Sequence, residues 1–222
     1  MTDDVLLESL LGAVSAFLGG LADVSAPAAL RPDELSPLAS MAHRLGDPAV
    51  TLGVPQNHGI AAIRAADPAF DLGGFLVRIG EMFAAYHAAL DRGDLAPARR
   101  FIDEMAWADL EEAAEKSGRR DSGPRALTIR TIRPMTAVHE DDLDLVRILI
   151  TAEVTGETEP LCEYWEVCRE RGTQTKSGLD LTHCPNCGGP VDGDDPTRCA
   201  YCGTRLADPA LDWVVRKITA QD

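Results

Sequence analysis

The chain has 222 residues, of which 45% are apolar, and it carries a formal net charge of −15. This length suits one medium domain with an extension or two small domains, and the apolar fraction is enough for a packed core. The negative charge is spread along the chain, which argues against a nucleic-acid partner because phosphate binding needs a concentrated basic face. A purely electrostatic attachment to anionic lipid is disfavoured for the same reason.

The first apolar segment is VLLESLLGAVSAFLGGL, from Val5 to Leu21, and a proline-rich linker follows it. It is short for a transmembrane span and contains Glu8, and acidic residues precede it where a signal peptide would be basic. We therefore expect a cytoplasmic protein. As a helix, the segment would gather its apolar residues on one side, namely Leu6, Leu7, Leu10, Leu11, Val14 and Phe17. It could complete the core, dock onto a partner protein, or lie on a membrane surface, a role that its lack of Lys and Arg disfavours.

Helical periodicity follows in the first half of the chain. In FLVRIGEMFAAYHAAL, apolar residues recur every three or four positions, which predicts one buried stripe made of Phe75, Ile79, Phe83, Tyr86 and Leu90. Gly93 is a suitable end for this helix. The segment DEMAWADLEEAAEKSG predicts another helix with an acidic outer face, packing through Met105, Trp107, Leu110 and Ala114.

The second half of the chain has the pattern of strands. Residues 124–135 and 142–154 read as two strands joined by the acidic sequence HEDD. In the second of these strands, alternate residues share one apolar face, namely Val146, Ile148, Ile150, Ala152 and Val154. The opposite face mixes Leu143, Leu145 and Leu149 with charged residues, so we expect it to be only partly covered. The later segments EYWEVCRERG and LDWVVRKITA predict two further strands, and hairpin connections imply an antiparallel sheet.

Four cysteines form two knuckles between the last two predicted strands. Cys184 and Cys187 are followed by Gly188, and Cys199 and Cys202 are followed by Gly203. Each CxxC places two thiolates around a tight turn, and two such turns complete a tetrahedral site, so we predict structural zinc. An iron–sulfur centre and a redox pair are the weaker alternatives. His183 adjoins the site, but four thiolates already fill a structural coordination shell, so we interpret it as a turn residue.

The other two cysteines, Cys162 and Cys168, lie in the predicted strand LCEYWEVCRE. At the rise of a strand their sulfur atoms would be about 20 Å apart, too far for a disulfide. We predict that they are small core or edge residues.

The order of helices and strands resembles the bacterial Tim forty-four-like domain. The resemblance rests on DPAFDLGGFLVRIGEMFAAYHAALDRGDLAPARRFI and on the later YWEVCRERG and DWVVRKI, and it covers about residues 67–222. It implies an α+β fold with helices packed on a curved antiparallel sheet, the cone of the nuclear transport factor two-like type. It also implies a large apolar pocket, association with the inner membrane, and scaffolding of other proteins. Members with a zinc ribbon before the last strand look most similar.

The expected organisation has two parts. Residues 1–60 form an N-terminal helical segment and linker, and residues 61–222 form the Tim forty-four-like domain with the ribbon inserted at 181–206. Many bacterial relatives carry a transmembrane or glycine-rich segment upstream, whereas this chain has the segment from Val5 to Leu21, so direct membrane attachment is in doubt and peripheral association stays open.

Two classes of function follow from these patterns. The first is a non-catalytic zinc-binding adaptor whose partner protein contacts Leu7, Leu10, Leu11, Val14 and Phe17. The second is a small-molecule-binding protein or enzyme that uses the cone pocket, which we place near Phe83, Tyr86, His87 and Trp165. Tyr86, His87 and His139 are its acid–base candidates, because a pocket histidine can titrate near neutrality. No phosphate-binding loop or nucleophile elbow is present in the sequence, so the adaptor is favoured.

Overall fold

The computed structural model describes residues 51–52, 58–116, 125–176 and 180–220. Its helices are α1 (His58–Ala66), α2 (Leu72–Arg92) and α3 (Glu104–Lys116), with a short 3-10 helix at Ala96–Arg100. Its strands are β1 (Thr51–Leu52), β2 (Leu127–Glu140), β3 (Leu143–Val154), β4 (Leu161–Glu170) and β5 (Val214–Ala220). The predicted α+β class is confirmed. The segment from Val5 to Leu21, with its five predicted partner-binding residues, lies outside the described residues.

Helix α2 is the central helix, and local sequence defines both of its ends. The Asp71 carboxylate accepts hydrogen bonds from the backbone amides of Gly73 and Gly74, at 3.0 and 2.8 Å, which satisfies two donors of the first turn. The helix ends at Gly93, whose φ of 66° is left-handed, as the sequence predicted. All five residues of the predicted stripe are buried.

Helix α3 packs differently from its sequence pattern. Met105, predicted to be buried, is 89% exposed, and the buried face consists of Ala106, Leu110 and Ala114. These three residues are four apart and fall on one side of the helix, and the small Ala106 permits close packing there. Trp107 is half-buried, with the guanidinium carbon of Arg99 4.8 Å from the centroid of its ring.

The sheet has the order β1-β2-β3-β4-β5. Strands β2 to β5 pair antiparallel, as predicted, whereas β1 adds an unpredicted short parallel pair at the edge. A two-residue turn joins β2 to β3, and its first residue, Asp141, has a φ of 51°, which aspartate tolerates better than most residues. The even-numbered β3 residues from Val146 to Val154 are buried, as expected from their alternation.

The helices cover one face of the sheet, where α1, α2, α3 and the strands share one large hydrophobic cluster. The opposite face is only partly covered, as predicted. There Leu145 of β3 and Cys168 of β4 are buried with Ala207 and Val214. The connection from β4 to β5 therefore returns across this face before the last strand begins, and it contains the four clustered cysteines.

Candidate metal centre

The two CxxC sequences fold as matching turns. In the first, the Gly188 amide donates to the Cys184 carbonyl at 2.9 Å, and in the second the Gly203 amide donates to the Cys199 carbonyl at 2.9 Å. The two glycines have φ values of 69° and 72°, a conformation that strains residues with a side chain. The glycines that follow each motif thus allow the turns that bring its two sulfur atoms together.

The four sulfur atoms lie within 4.8 Å of one another. The Cys184 and Cys202 sulfurs are 3.8 Å apart, and those of Cys187 and Cys199 are 3.7 Å apart. A metal with metal–sulfur bonds of about 2.3 Å in a tetrahedron separates its ligand atoms by about 3.8 Å. The geometry is compatible with a four-thiolate metal site, and it does not identify the metal.

Hydrogen bonds prepare the cluster for a cation. The Asn186 and Gly189 amides each point at a sulfur, Cys184 and Cys187 respectively, at 3.4 Å. The hydroxyl and amide of Thr204 lower the pKa of Cys202 to about 6, which favours its thiolate at neutral pH. At Cys187 the Gly189 amide also favours the thiolate, but the neighbouring thiols outweigh it and raise the pKa to about 11. A bound cation would displace the remaining protons.

The cysteine segment is attached to the helical part by a few polar contacts. Arg100 donates to the Leu181 carbonyl at 3.3 Å, and Arg205 donates to the Glu104 carboxylate at 2.7 Å. Lys176, just after β4, donates to the Pro185 carbonyl inside the first knuckle. His183 lies outside the sulfur cluster, where its imidazole is 2.8 Å from the Asp180 carboxylate, and Asp180 has a pKa of about 2 because hydrogen bonds from Thr182 and His183 outweigh burial.

The residues predicted to line an apolar pocket are packed against one another. Phe83, Tyr86, His87 and Trp165 are each at most 5% exposed, and their rings lie 4.3 to 5.8 Å apart in four contacting pairs. His87 Nε2 lies 3.2 Å from the buried carboxylate of Glu163, which also accepts a 2.8 Å hydrogen bond from the Trp165 indole. None of the four predicted residues lines the cavity of about 320 Å³ that lies beside the first turn of α2.

A cavity of about 320 Å³ lies beside the first turn of α2. Its walls come from that turn, from the end of β4 with the residues after it, and from the residues just before β5. The lining residues include Phe70, Phe75, Arg78, Arg169, Lys176 and Trp213. This cavity could not be predicted from local sequence, because the wall from α2 is more than ninety residues from the other two walls in the chain and each wall reads as an ordinary helix or strand end.

A buried ion pair forms part of the structure behind this cavity. Arg169 and Asp67 are 2% and 1% exposed, and the guanidinium donates to the carboxylate at 2.8 Å. The Thr175 amide and hydroxyl donate to the same carboxylate at 2.9 and 2.6 Å. The guanidinium carbon also lies 4.7 Å from the centroid of the Trp213 ring, so the charge is held by both ionic and cation–π contacts.

The remaining residues with potentially reactive side chains are Cys162, Cys168 and His139, and the surroundings of each explain its state. Cys162 is half-buried and Cys168 buried, both as free thiols, and burial raises the pKa of Cys168 to about 11, so it is a poor nucleophile. His139 is exposed, as expected, and it hydrogen-bonds through Nδ1 to the buried carboxylate of Asp144 across the β2–β3 hairpin. Only the strand register brings these two residues together.

Comparison with known proteins identifies no relative: no family model, curated protein or solved structure matches the chain. Within the described part of the chain, no helix has the length and apolar character needed to cross a bilayer. The resemblance to the Tim forty-four-like family therefore stays a prediction, together with the domain boundaries at residues 60 and 61.

Proposed function

We propose that the protein is a non-catalytic adaptor whose final third is held together by a structural zinc ion. The sulfur cluster is the observation that carries this proposal. Four cysteine thiolates at tetrahedral spacing would fill the coordination shell of zinc and leave no position open for water or substrate. A metal bound in this way contributes folding free energy rather than Lewis-acid chemistry.

The adaptor role draws on the family resemblance and on the N-terminal segment. The order of three described helices followed by an antiparallel sheet, with cysteine knuckles between β4 and β5, supports a Tim forty-four-like cone with a ribbon inserted at residues 181–206. In this proposal the segment from Val5 to Leu21 docks onto a partner protein through one apolar face. The complex would form in the cytoplasm, with peripheral association at the inner membrane if the partner is located there.

The alternative of an enzyme centred on His87 has less support. His87 and Glu163 are 1% and 6% exposed and lie among aromatic rings, where a substrate could meet them only after the core opened. A buried imidazole beside a carboxylate is also the usual way to satisfy two polar side chains in a core. We therefore propose that His87 and Glu163 stabilise the core and take no part in catalysis.

The metal assignment is tested by elemental analysis of the purified protein. We expect one zinc per chain and no visible absorption, whereas a mono-iron site of the same geometry would be coloured. Replacing the four clustered cysteines by serine should reduce zinc to background, because no complete thiolate set remains. The matched control is Cys162→Ser, which should keep one zinc. Equal zinc in the four-serine variant, or iron in the intact protein, would refute the assignment.

The adaptor role is tested by deleting residues 1–30 and repeating copurification from the native host. The deletion should leave a folded, metal-loaded domain that no longer recovers its partner. Because the proposed contact is apolar, salt should weaken recovery by the intact chain only slightly. A truncated protein that unfolds would assign the segment to the core instead, and flotation of the intact protein with liposomes would assign it to a membrane surface.

A further inference from the structure

The cavity beside α2 has an apolar wall made of three aromatic rings. The centroid of the Trp213 ring lies 6.1 Å from that of Phe70 and 5.0 Å from that of Phe75, and those of Phe70 and Phe75 are 5.6 Å apart. Because each ring contacts the other two, their positions are fixed without a ligand. The volume, about 320 Å³, is at the lower end of the range for small-molecule sites.

Most of the charged side chains that line the cavity already have partners. Arg78 pairs with Asp212 at 2.5 Å, and Arg169 pairs with Asp67 at 2.8 Å. The Asp71 carboxylate is occupied by backbone amides at the start of α2. The two arginines are thus neutralised by carboxylates, and the Asp71 carboxylate is already hydrogen-bonded by neutral amides.

Lys176 is the exception among the lining charges. No carboxylate in the described chain lies within ion-pair distance of its ammonium, whose one described contact is the bond to the Pro185 carbonyl. An ammonium has three donors, so two remain for an acceptor. The buried Nε–H group of Arg169 is a further donor that has no acceptor in the described ranges.

We propose that this cavity binds a small monocarboxylate with an apolar body. The body lies against Phe70, Phe75 and Trp213, where it is removed from water, and the carboxylate accepts hydrogen bonds from Lys176 at the exposed edge. The Lys176 ammonium has no carboxylate partner in the described chain, so it favours a ligand that carries one negative charge. The Pro185 carbonyl limits the freedom of the lysine before binding, which reduces the entropy lost on binding.

The test is calorimetric titration of the full-length, metal-loaded protein with 4-phenylbutyrate. The comparison ligand, 4-phenylbutylamine, has the same body and the opposite charge. We expect saturable one-to-one binding of the carboxylate and at least about tenfold weaker binding of the amine, the effect of one charge-assisted hydrogen bond.

Variants locate the binding site. Lys176→Met should weaken phenylbutyrate binding about tenfold, because it keeps the apolar stem and removes the charge. The exposed Lys217→Met lies on β5 outside the cavity and should leave binding unchanged. Lys176 is exposed, so its replacement should not affect folding, which circular dichroism would verify. No saturable binding at millimolar concentration, equal binding of the amine, or unchanged binding by Lys176→Met would each overturn the proposal.

Discussion

Asp67 and Arg169 join two distant parts of the chain in a buried ion pair. The pair links the residue after α1 to the end of β4, and Thr175 adds two hydrogen bonds to the carboxylate. Removing one partner of such a pair lowers the free energy of unfolding by much more than the intact pair contributes to it, because the other charge stays buried and uncompensated. Arg169 would be left in that state next to Trp213.

We therefore expect Asp67→Asn to lower the free energy of unfolding by about 3 kcal/mol at neutral pH. Burial acts to raise the pKa of Asp67, but the hydrogen bonds from Thr175 and Arg169 outweigh it and hold the pKa below its ordinary value of 3.8. A depressed carboxyl pKa contributes stability above the unfolded-state pKa and loses it as pH falls through the folded-state value. The difference between the two proteins should thus shrink below about pH 4.

Urea unfolding between pH 7 and pH 3 would measure this difference. Glu112→Gln is the control, since Glu112 is exposed and its ion-pair partner among the described residues is Lys116 on the same helix, where a change of at most about 0.5 kcal/mol is expected. A difference that is constant across the pH range would contradict the electrostatic explanation.

Among the elements, α1 approaches β2 closely enough that a side chain is excluded between them. A Cβ at Gly59 would overlap the carbonyl oxygen and the side chain of Ala137 in β2. Ile60 and Ile63 of the same helix are buried in the main core, so α1 cannot move away without exposing them. The position therefore requires glycine for reasons of space.

We predict that Gly59→Ala lowers the free energy of unfolding by about 1 to 3 kcal/mol, although alanine favours helix more than glycine does. The exposed Ala61→Ser on the same helix is the control and should cost about 0.5 kcal/mol or less. Thermal unfolding of the two variants would give the comparison. A stabilised Gly59→Ala protein would mean that helix propensity outweighs the close contact.

At the scale of the whole molecule, the cysteine segment is a small unit attached to a larger one. Cys184, Cys199 and Leu206 form a hydrophobic cluster separate from the main core. The contacts between the two units include the hydrogen bonds of Arg100 and Arg205, of which the second is exposed. Order in the small unit should therefore depend on the proposed metal, whereas α2 and the sheet centre have a core of their own.

Chelation should consequently increase hydrogen exchange in residues 180–213 and in the strands around Trp165 and Trp213, while α2 stays protected. Mass spectrometry of exchanged peptides, before and after chelator is added, would measure this. The four-serine variant without chelator should give the same pattern. Uniform loss of protection along the chain would instead mean that the cysteine segment belongs to the main folding unit.

Features set by neighbouring residues could be predicted from the sequence. The stripe of α2, its end at Gly93, the alternation in β3 and the cysteine knuckles all depend on short-range spacing, and the structure has each of them. Helix α3 shows the limit of this approach. Both Met105 and Ala106 fit a helical period, and the packing partner determined that the smaller side chain faces inward.

Features that depend on long-range pairing could not be predicted. Asp67 and Arg169 are 102 residues apart, and neither stands in a recognisable motif. His139 was predicted to be exposed and is exposed, but only the register of β2 and β3 identifies Asp144 as its partner. The cavity likewise depends on the contact between Trp213 and Phe75, which are distant in the chain, so no local pattern could identify its lining residues.

The position of the cysteine knuckles also affects how the sheet assembles. Strands β2, β3 and β4 are joined by short turns, whereas β5 must reach β4 across the whole connection of residues 171–213. Closing a flexible loop costs more entropy as the loop lengthens, and pairing across long separations is slow. A cation held by Cys184, Cys187, Cys199 and Cys202 would hold the middle of the connection in a compact conformation. The flexible loop that must close before β5 pairs with β4 would then be shorter. Metal supply during synthesis would then influence how fast the last strand joins the sheet.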